Sequence, residues 1–303
     1  MKAATAIRKD FARHKSIYLM AAPVILYYLI FHYTPIYGAI IAFKNFQPAQ
    51  GIWGSKWVGF DQFDRFFHGY YFWRLLKNTL LISLYSILFG FPAPILLALL
   101  LNELRMRWFK RVVQTVTYLP HFISVIVISG ILIDFISRDG LLNDLFAFFG
   151  ADRVAFLAFP QYFRTIFVSS SIWQEVGWGS IIYLAALSAI NPELYEAAKI
   201  DGAGRFKQIR YITIPSLVPI MAILLILRIG HVMEVGFEKI ILLYRPTTYE
   251  TADVIASYIY REGLGGFNYS YSAAIGLFQS VVNLALLYSA HRISKRMNGS
   301  GLW

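Results

Sequence analysis

Cysteine is absent from all 303 residues, so this chain has neither a disulfide framework nor a thiolate metal site. Charge is scarce too. Only 15% of residues are Asp, Glu, Lys or Arg, against about a quarter in ordinary soluble domains. Enzyme signatures are also missing. There is no G-x-x-x-x-G-K-[ST] phosphate loop, and Gly54-Ser55-Lys56 is a chance fragment. H-E-x-x-H and G-x-S-x-G are absent. The six histidines (14, 32, 68, 121, 231 and 291) fall in different segments without metal-ligand spacing. The expectation is no catalytic residue, no metal ligand and no cofactor bound by this chain.

What is present is apolar. Hydrophobic residues make up 57% of the chain and aromatic residues 17%. The length would allow two soluble domains, but the apolar runs point to one all-α bundle crossing a membrane several times. A helix rises about 1.5 Å per residue, so a core of about 30 Å takes roughly 20 apolar residues. Six spans are expected, at 17–43, 75–101, 112–136, 165–190, 216–235 and 273–290. Pro23, Pro92, Pro94 and Pro120 fall inside them, which membrane helices tolerate when neighbours satisfy the freed backbone groups. The first span follows basic residues, as a signal peptide does. It is too long for an h-region and shows no small-residue cleavage site, so it is expected to be retained.

The charges orient the bundle. Lys2, Arg8, Lys9, Arg13 and Lys15 precede the first span, and Arg105, Arg107, Lys110 and Arg111 follow the second. Lys199, Arg205, Lys207 and Arg210 follow the fourth, and Arg292, Lys295 and Arg296 follow the last. Against these sixteen stand five acids: Asp10, Glu103, Glu193, Glu196 and Asp201. The rest of the chain is neutral, so the whole net charge of +11 lies on one face. Positive charge collects on the cytoplasmic side. The chain therefore divides into a cytoplasmic tail 1–16, a six-span membrane domain 17–290 and a cytoplasmic tail 291–303. Charge on one membrane face needs no nucleic acid to explain it.

The outer segments differ. At 60–73 the chain reads FDQFDRFFHGYYFW, with Phe63, Phe66, Phe67 and Tyr70 at helical spacing. Such a helix belongs in the outer interface, packed around the bundle. The stretch 237–271 is rich in Gly and Tyr and ends in GLGGFNYSYS, a loop-like string suited to a soluble partner or a sugar.

Ionisable groups inside spans are functional candidates by default. Arg228 lies twelve residues past Ser216, about 18 Å along the helix and near the midplane. His231 and Glu234 follow at steps of three, so the three would share a helix face. Glu175 lies in the fourth span beside Trp173, Gln174 and Trp178, while Gln279 and Asn283 share a face of the sixth. Asp134 reads as an outer-interface structural residue. Two roles stay open for the others. Trp173, Glu175, Trp178, Tyr183, Arg228, His231, Gln279 and Asn283 line a pathway for a hydroxylated solute, or Arg228 pairs with Glu175 to hold helices together.

The segment 196–215, EAAKIDGAGRFKQIRYITIP, is polar and basic between two long apolar runs. Good helix formers bracketed by Asn191-Pro192 and by Gly202 and Gly204 predict a short helix along the cytoplasmic face. Glu196, Ala197, Ala198, Gly202, Ile212 and Pro215 fall on the E-A-A, Gly, I-x-L-P pattern of ABC importer permeases. Ile214 stands where the pattern has Leu. With TPIYGAIIAFKNF at 34–46, YLPHFIS at 118–124 and SIIYLAALSAINPELYEAAKIDGA at 180–203, nearly the whole chain resembles the carbohydrate branch of these permeases, relatives of the maltose permease pair.

The resemblance implies a type I importer permease in a bacterial inner membrane. Residues 191–215 would then hold a coupling helix that docks in an ATP-binding subunit. Glu196, Ala197, Ala198, Asp201, Gly202 and Ala203 would make that contact. It implies two ATPase subunits holding ATP and Mg, a second homologous permease, an extracytoplasmic solute-binding protein and an oligosaccharide substrate. Arg228 and His231 would favour an acidic, uronate-type sugar. An ion-coupled secondary transporter should carry internal repeats, and none is clear. A membrane-embedded enzyme should carry a reactive constellation.

Overall fold

The computed structural model describes residues 13–298, so the outermost parts of both basic tails lie outside the described residues. It is almost wholly helical. Among the described residues four helices are long and apolar enough to cross a membrane: Lys15–Phe43, Phe72–Glu103, Arg205–Gly230 and Tyr269–Arg296. A fifth crossing exists if Arg107–Phe122 and Val125–Phe148, bent by 105°, count as one broken span. The remaining expected span, the fourth, is a 29-residue helix, Pro160–Ser188, whose polar residues include Arg164, Gln174 and Glu175.

The helices needed below are α1 (Lys15–Tyr28), α2 (Phe72–Gly90), α3 (Pro92–Glu103), α4 (Arg107–Tyr118) and α5 (Val125–Ile136). They continue as α6 (Pro160–Ser188), α7 (Pro192–Ile200), α8 (Ile214–Gly230), α9 (Phe237–Leu243) and α10 (Tyr269–Asn298). The chain forms two compact units. One combines the residues up to His68 with Glu262–Leu277, and the other combines Gly69–Arg261 with the residues from Phe278 onward.

In the first unit, α1 continues through Leu29–Tyr33 to Phe43 with no buried residue in its apolar window. A two-residue antiparallel ladder follows, Lys44 opposite Trp57 and Asn45 opposite Lys56. The buried Lys44 ammonium donates to the carbonyls of Ile52 (2.7 Å) and Ser55 (3.3 Å) and so closes this turn. The helix expected over the aromatic segment is shorter than its spacing implied. It covers Asp61–Phe67 and ends before Gly69, so Tyr70 lies beyond it and is 91% exposed. Phe66 is buried and Arg65 lies over the Tyr271 ring at 4.4 Å, which fits a packing role.

In the second unit, one core cluster joins Ile82 of α2, Phe163 and Phe167 of α6, Ile240 and Leu243 of α9, and Val254. A second joins Ile95 and Ala98 of α3, Tyr183 and Leu187 of α6, and Leu217 of α8. Close approach of α4 and α6 requires glycine. A Cβ at Gly177 would overlap the Thr117 carbonyl and lie 2.9 Å from Tyr118 Cδ1.

The unit also contains a charge knot. Asp253 is fully buried and accepts from Arg261 Nη2 at 2.8 Å and Nη1 at 3.1 Å, and from Arg74 Nη2 at 3.3 Å. Asn78 donates to the Asp253 carbonyl at 3.0 Å, and Arg164 donates to Asn78 at 2.8 Å. Burial works against the Arg261 charge, but the hydrogen bond and charge of Asp253 outweigh it and hold its pKa above the ordinary value. Removing the carboxylate leaves the half-buried guanidinium groups of Arg74 and Arg261 without a counter-charge and empties a fully buried site. Asp253→Ala is expected to cost about 3–5 kcal/mol, read as a large fall in the melting temperature of the detergent-solubilised chain. A shift within error would remove the knot as a stabilising element.

Candidate functional sites

The expected surface helix is present. Asn191 caps α7 by accepting from the Glu193 N–H at 3.0 Å, and Pro192 occupies the first turn, where its missing N–H is no loss. The helix ends in a tight turn. The Ala203 N–H donates to the Ala198 carbonyl at 2.8 Å, and Gly202 has a φ of 73°, a conformation glycine adopts without strain. Gly204 then opens a second helical turn at Arg205, which pairs with Glu103 at 3.4 Å. Tyr195 shares a 3.0 Å hydrogen bond with Thr213 and fixes the segment to the base of the following span.

Glu196, Ala197, Asp201 and Gly202 are exposed, while Ala198 and Ala203 are half-buried. Among the described residues Glu196 forms no ion pair. A Cβ at Gly202 would meet nothing within 4 Å, so glycine is required by the backbone angle and not by crowding inside this chain. Two apolar side chains that the motif does not single out stand beside these residues: Ile200 is 87% exposed and Phe206 is 75% exposed. Ile200 closes α7 and Phe206 stands in the next helical turn, so both apolar side chains are left bare beside the polar helix.

The second site is a set of adjoining cavities in the second unit. The first, of about 460 Å³, is bounded by Ser83, Ser86, Arg228, His231 and Glu234. The next, about 180 Å³, shares Ser86 and Arg228 and adds Gly90, Glu175 and Trp178. The third, about 520 Å³, shares Glu175, Ser171 and Glu234 and adds Gln174, Lys239 and Gln279. Hydroxyl, amide, carboxylate and cationic groups therefore line a passage of adjoining cavities that share Ser86, Ser171, Glu175, Arg228 and Glu234.

Several expected residues sit in it, though not as expected. Glu175 does not pair with Arg228. Its carboxylate meets His121 Nδ1 at 3.0 Å, and the His121 ring stacks on Trp178 at 4.5 Å. Arg228 donates to the Ser86 carbonyl at 3.3 Å. His231 and Glu234 do not continue a helix face, because α8 ends at Gly230 and a turn follows. A Cβ at Gly230 would lie 2.7 Å from Leu287 Cδ1, so glycine lets the last turn of α8 approach α10 closely. Gln279 and Asn283 do share one face of α10, and both hold this turn. Gln279 donates to the Met233 carbonyl at 2.9 Å, and Asn283 accepts from the Met233 N–H at 3.0 Å and donates to Glu234 at 3.1 Å.

Two expected residues are elsewhere. Trp173 faces a separate apolar cavity of about 700 Å³, with Ile128, Phe135, Phe146 and Tyr162. Tyr183 is 3% exposed in the core beside Ile95 and Leu217, so it packs and borders none of these three cavities. The expected loop at 237–271 carries α9, and its last residues belong to α10, which starts at Tyr269. Lys239 of α9 was not singled out by the sequence. It is 4% exposed, and its Nζ donates to Ser171 at 3.3 Å and to Gln174 at 3.4 Å. The segment lies between the membrane-crossing helices α8 and α10. Burial pushes the Lys239 pKa down to about 8, with the Glu175 charge opposing.

Residues 90–299 match the family described as binding-protein-dependent transport system inner membrane component. The chain belongs to this family. It is 44% identical to the polygalacturonan/rhamnogalacturonan transport system permease protein YteP of Bacillus subtilis, over 96% of this chain and 91% of that protein. The protein LplB of Bacillus subtilis is also 44% identical, over 96% of this chain and 92% of its own length. A chain in the crystal structure of a bacterial ABC transporter involved in the import of the acidic polysaccharide alginate superimposes with a TM-score of 0.91. Identity is 48%, covering 97% of this chain and 99% of that one. A second crystal structure, of the alginate transporter with its alginate pentasaccharide-bound periplasmic protein, matches equally well at 47% identity. The chain is therefore a non-catalytic permease of the inner membrane with the helical-bundle fold of these importers.

Proposed function

We propose that this chain is one of two homologous permease subunits of an ATP-driven importer, and that its cargo is an oligosaccharide of the acidic, uronate type. The observation that carries the cargo is the passage itself. Arg228 and Lys239 border it, and neither forms an ion pair with a carboxylate among the described residues. The relatives point the same way, since polygalacturonan and alginate are polyuronates. An extracytoplasmic binding protein delivers the sugar. ATP and Mg are held by two cytosolic ATPase subunits, and α7 with the turn to Ala203 is the lever they grip. Both termini face the cytosol.

Closure of the ATPase pair draws the two levers together and switches the bundle between two packings, each favoured by its own bound partners. Exposed Ile200 and Phe206 supply the apolar contact, and the unpaired Glu196 supplies a charge for a basic residue of the ATPase. The test is reconstitution with the cognate binding protein and ATPase. The proteoliposomes are expected to accumulate an oligogalacturonate or oligoalginate only with ATP and the binding protein. Accumulation without ATP would favour an ion-coupled carrier, and accumulation of neutral oligosaccharides alone would remove the acidic cargo.

A further inference from the structure

Lys239 occupies an unusual place for a lysine. It follows Glu238 in the helix FEKIILL, whose other residues are apolar, yet its side chain is buried and lines the passage. A buried ammonium ordinarily has a carboxylate against it, because desolvation of an unpaired charge is costly. Here the partners are one hydroxyl and one amide oxygen. The acids that border the same cavity are Glu175, Glu234 and Glu238. Glu175 is engaged by His121 and Glu234 by Asn283, and none of the three forms an ion pair with Lys239. The ammonium is thus held by neutral acceptors at the edge of a cavity large enough for a sugar unit, without a counter-charge of its own.

We propose that Lys239 is a specificity-determining residue of the passage, and that a carboxylate on the migrating oligosaccharide supplies its missing counter-charge. This rests on the oligosaccharide-import reading above and assigns the acidic preference to one side chain. Ser171 and Gln174 keep the ammonium at the cavity wall between cargo molecules. A sugar carboxylate entering the cavity replaces part of the lost solvation and gains a charge-assisted hydrogen bond, whereas a neutral sugar gains only an ordinary one. Burial pushes its pKa down and the Glu175 charge, which forms no ion pair with it, opposes this only in part.

The experiment uses the full assembly in proteoliposomes, with Lys239→Gln, which keeps a donor without charge, and Lys239→Arg, which keeps the charge. Uptake of a uronate oligomer is measured, together with its equilibrium binding to the solubilised permease–ATPase assembly at low and at moderate salt. Lys239→Gln is expected to weaken binding about tenfold, to flatten its salt dependence and to slow uptake, while Lys239→Arg retains most of all three. Wild-type binding and salt dependence in Lys239→Gln would overturn the proposal. So would equal loss in both variants, which marks Lys239 as a structural pin. A wild-type assembly that moves only neutral oligosaccharides would remove the acidic reading and this proposal together. Normal uronate uptake by wild type and Lys239→Gln alike would remove this proposal alone.

Discussion

Gly202→Asp is expected to lower uptake about hundredfold while leaving the assembly intact and its ATPase activity running. The position has a φ of 73°, which an aspartate tolerates at a cost of about 1–2 kcal/mol. Nothing in this chain lies within 4 Å of the Cβ it would add, so the permease still folds. The damage falls outside the chain. A second carboxylate beside exposed Asp201 would enter a docking surface without a partner charge, and an unpaired charge buried at an interface costs about 3 kcal/mol or more. At about 1.4 kcal/mol per factor of ten that is roughly two orders of magnitude. The measurements are substrate accumulation and phosphate release on the same proteoliposomes. Undiminished uptake would mean that the turn grips nothing.

The second large effect is structural. Gly177→Val is expected to abolish recovery of folded permease from membranes. Its Cβ would overlap the Thr117 carbonyl, a backbone atom of α4 that cannot rotate away. Overpacking commonly costs about 1–3 kcal/mol and more where neighbours cannot relax. Here the two helices must separate, and the passage residues Glu175 and Trp178 move with them. Gly130→Ala is the control, since a Cβ at Gly130 meets nothing within 4 Å. It should behave as wild type in size-exclusion and melting measurements. A well-folded Gly177→Val protein would show that α4 and α6 do not need this contact.

The two sites differed in how far the sequence revealed them. α7 was legible because its determinants are local: an Asn-Pro cap, small residues, and glycines where the chain turns. Its partner face was less so, since the exposure of Ile200 and Phe206 depends on how the segment sits on the following span. Spans two and five were legible as long apolar runs. The third was not a straight crossing, because the chain breaks after Pro120 and the Ser124 hydroxyl caps a new helix by accepting from Val127.

Spacing failed where tertiary packing overrode periodicity. His231 and Glu234 fit a helical step, but α8 stops at Gly230 and Gln279 and Asn283 hold the turn that follows. Polar type also misled. Tyr183 and Trp173 look like sugar-stacking residues, yet one is packed into the core and the other faces an apolar cavity. Conversely, Lys239 carried only a weak signal, since Glu238 beside it makes the two look like an ordinary charged pair at the start of an apolar run. Its inward direction depends on contacts with Ser171 and Gln174, 68 and 65 residues away.

The central claim is that a cytosolic ATPase moves this bundle through α7. The chain has no cysteine, so a single Ile200→Cys places one thiol on the lever. In the reconstituted assembly, paired with single cysteines around the cleft of the ATPase subunit, it should cross-link to that subunit, and the yield should change on ATP binding. A thiol modified only from the extracytoplasmic side, or never cross-linked to the ATPase in any nucleotide state, would contradict the account.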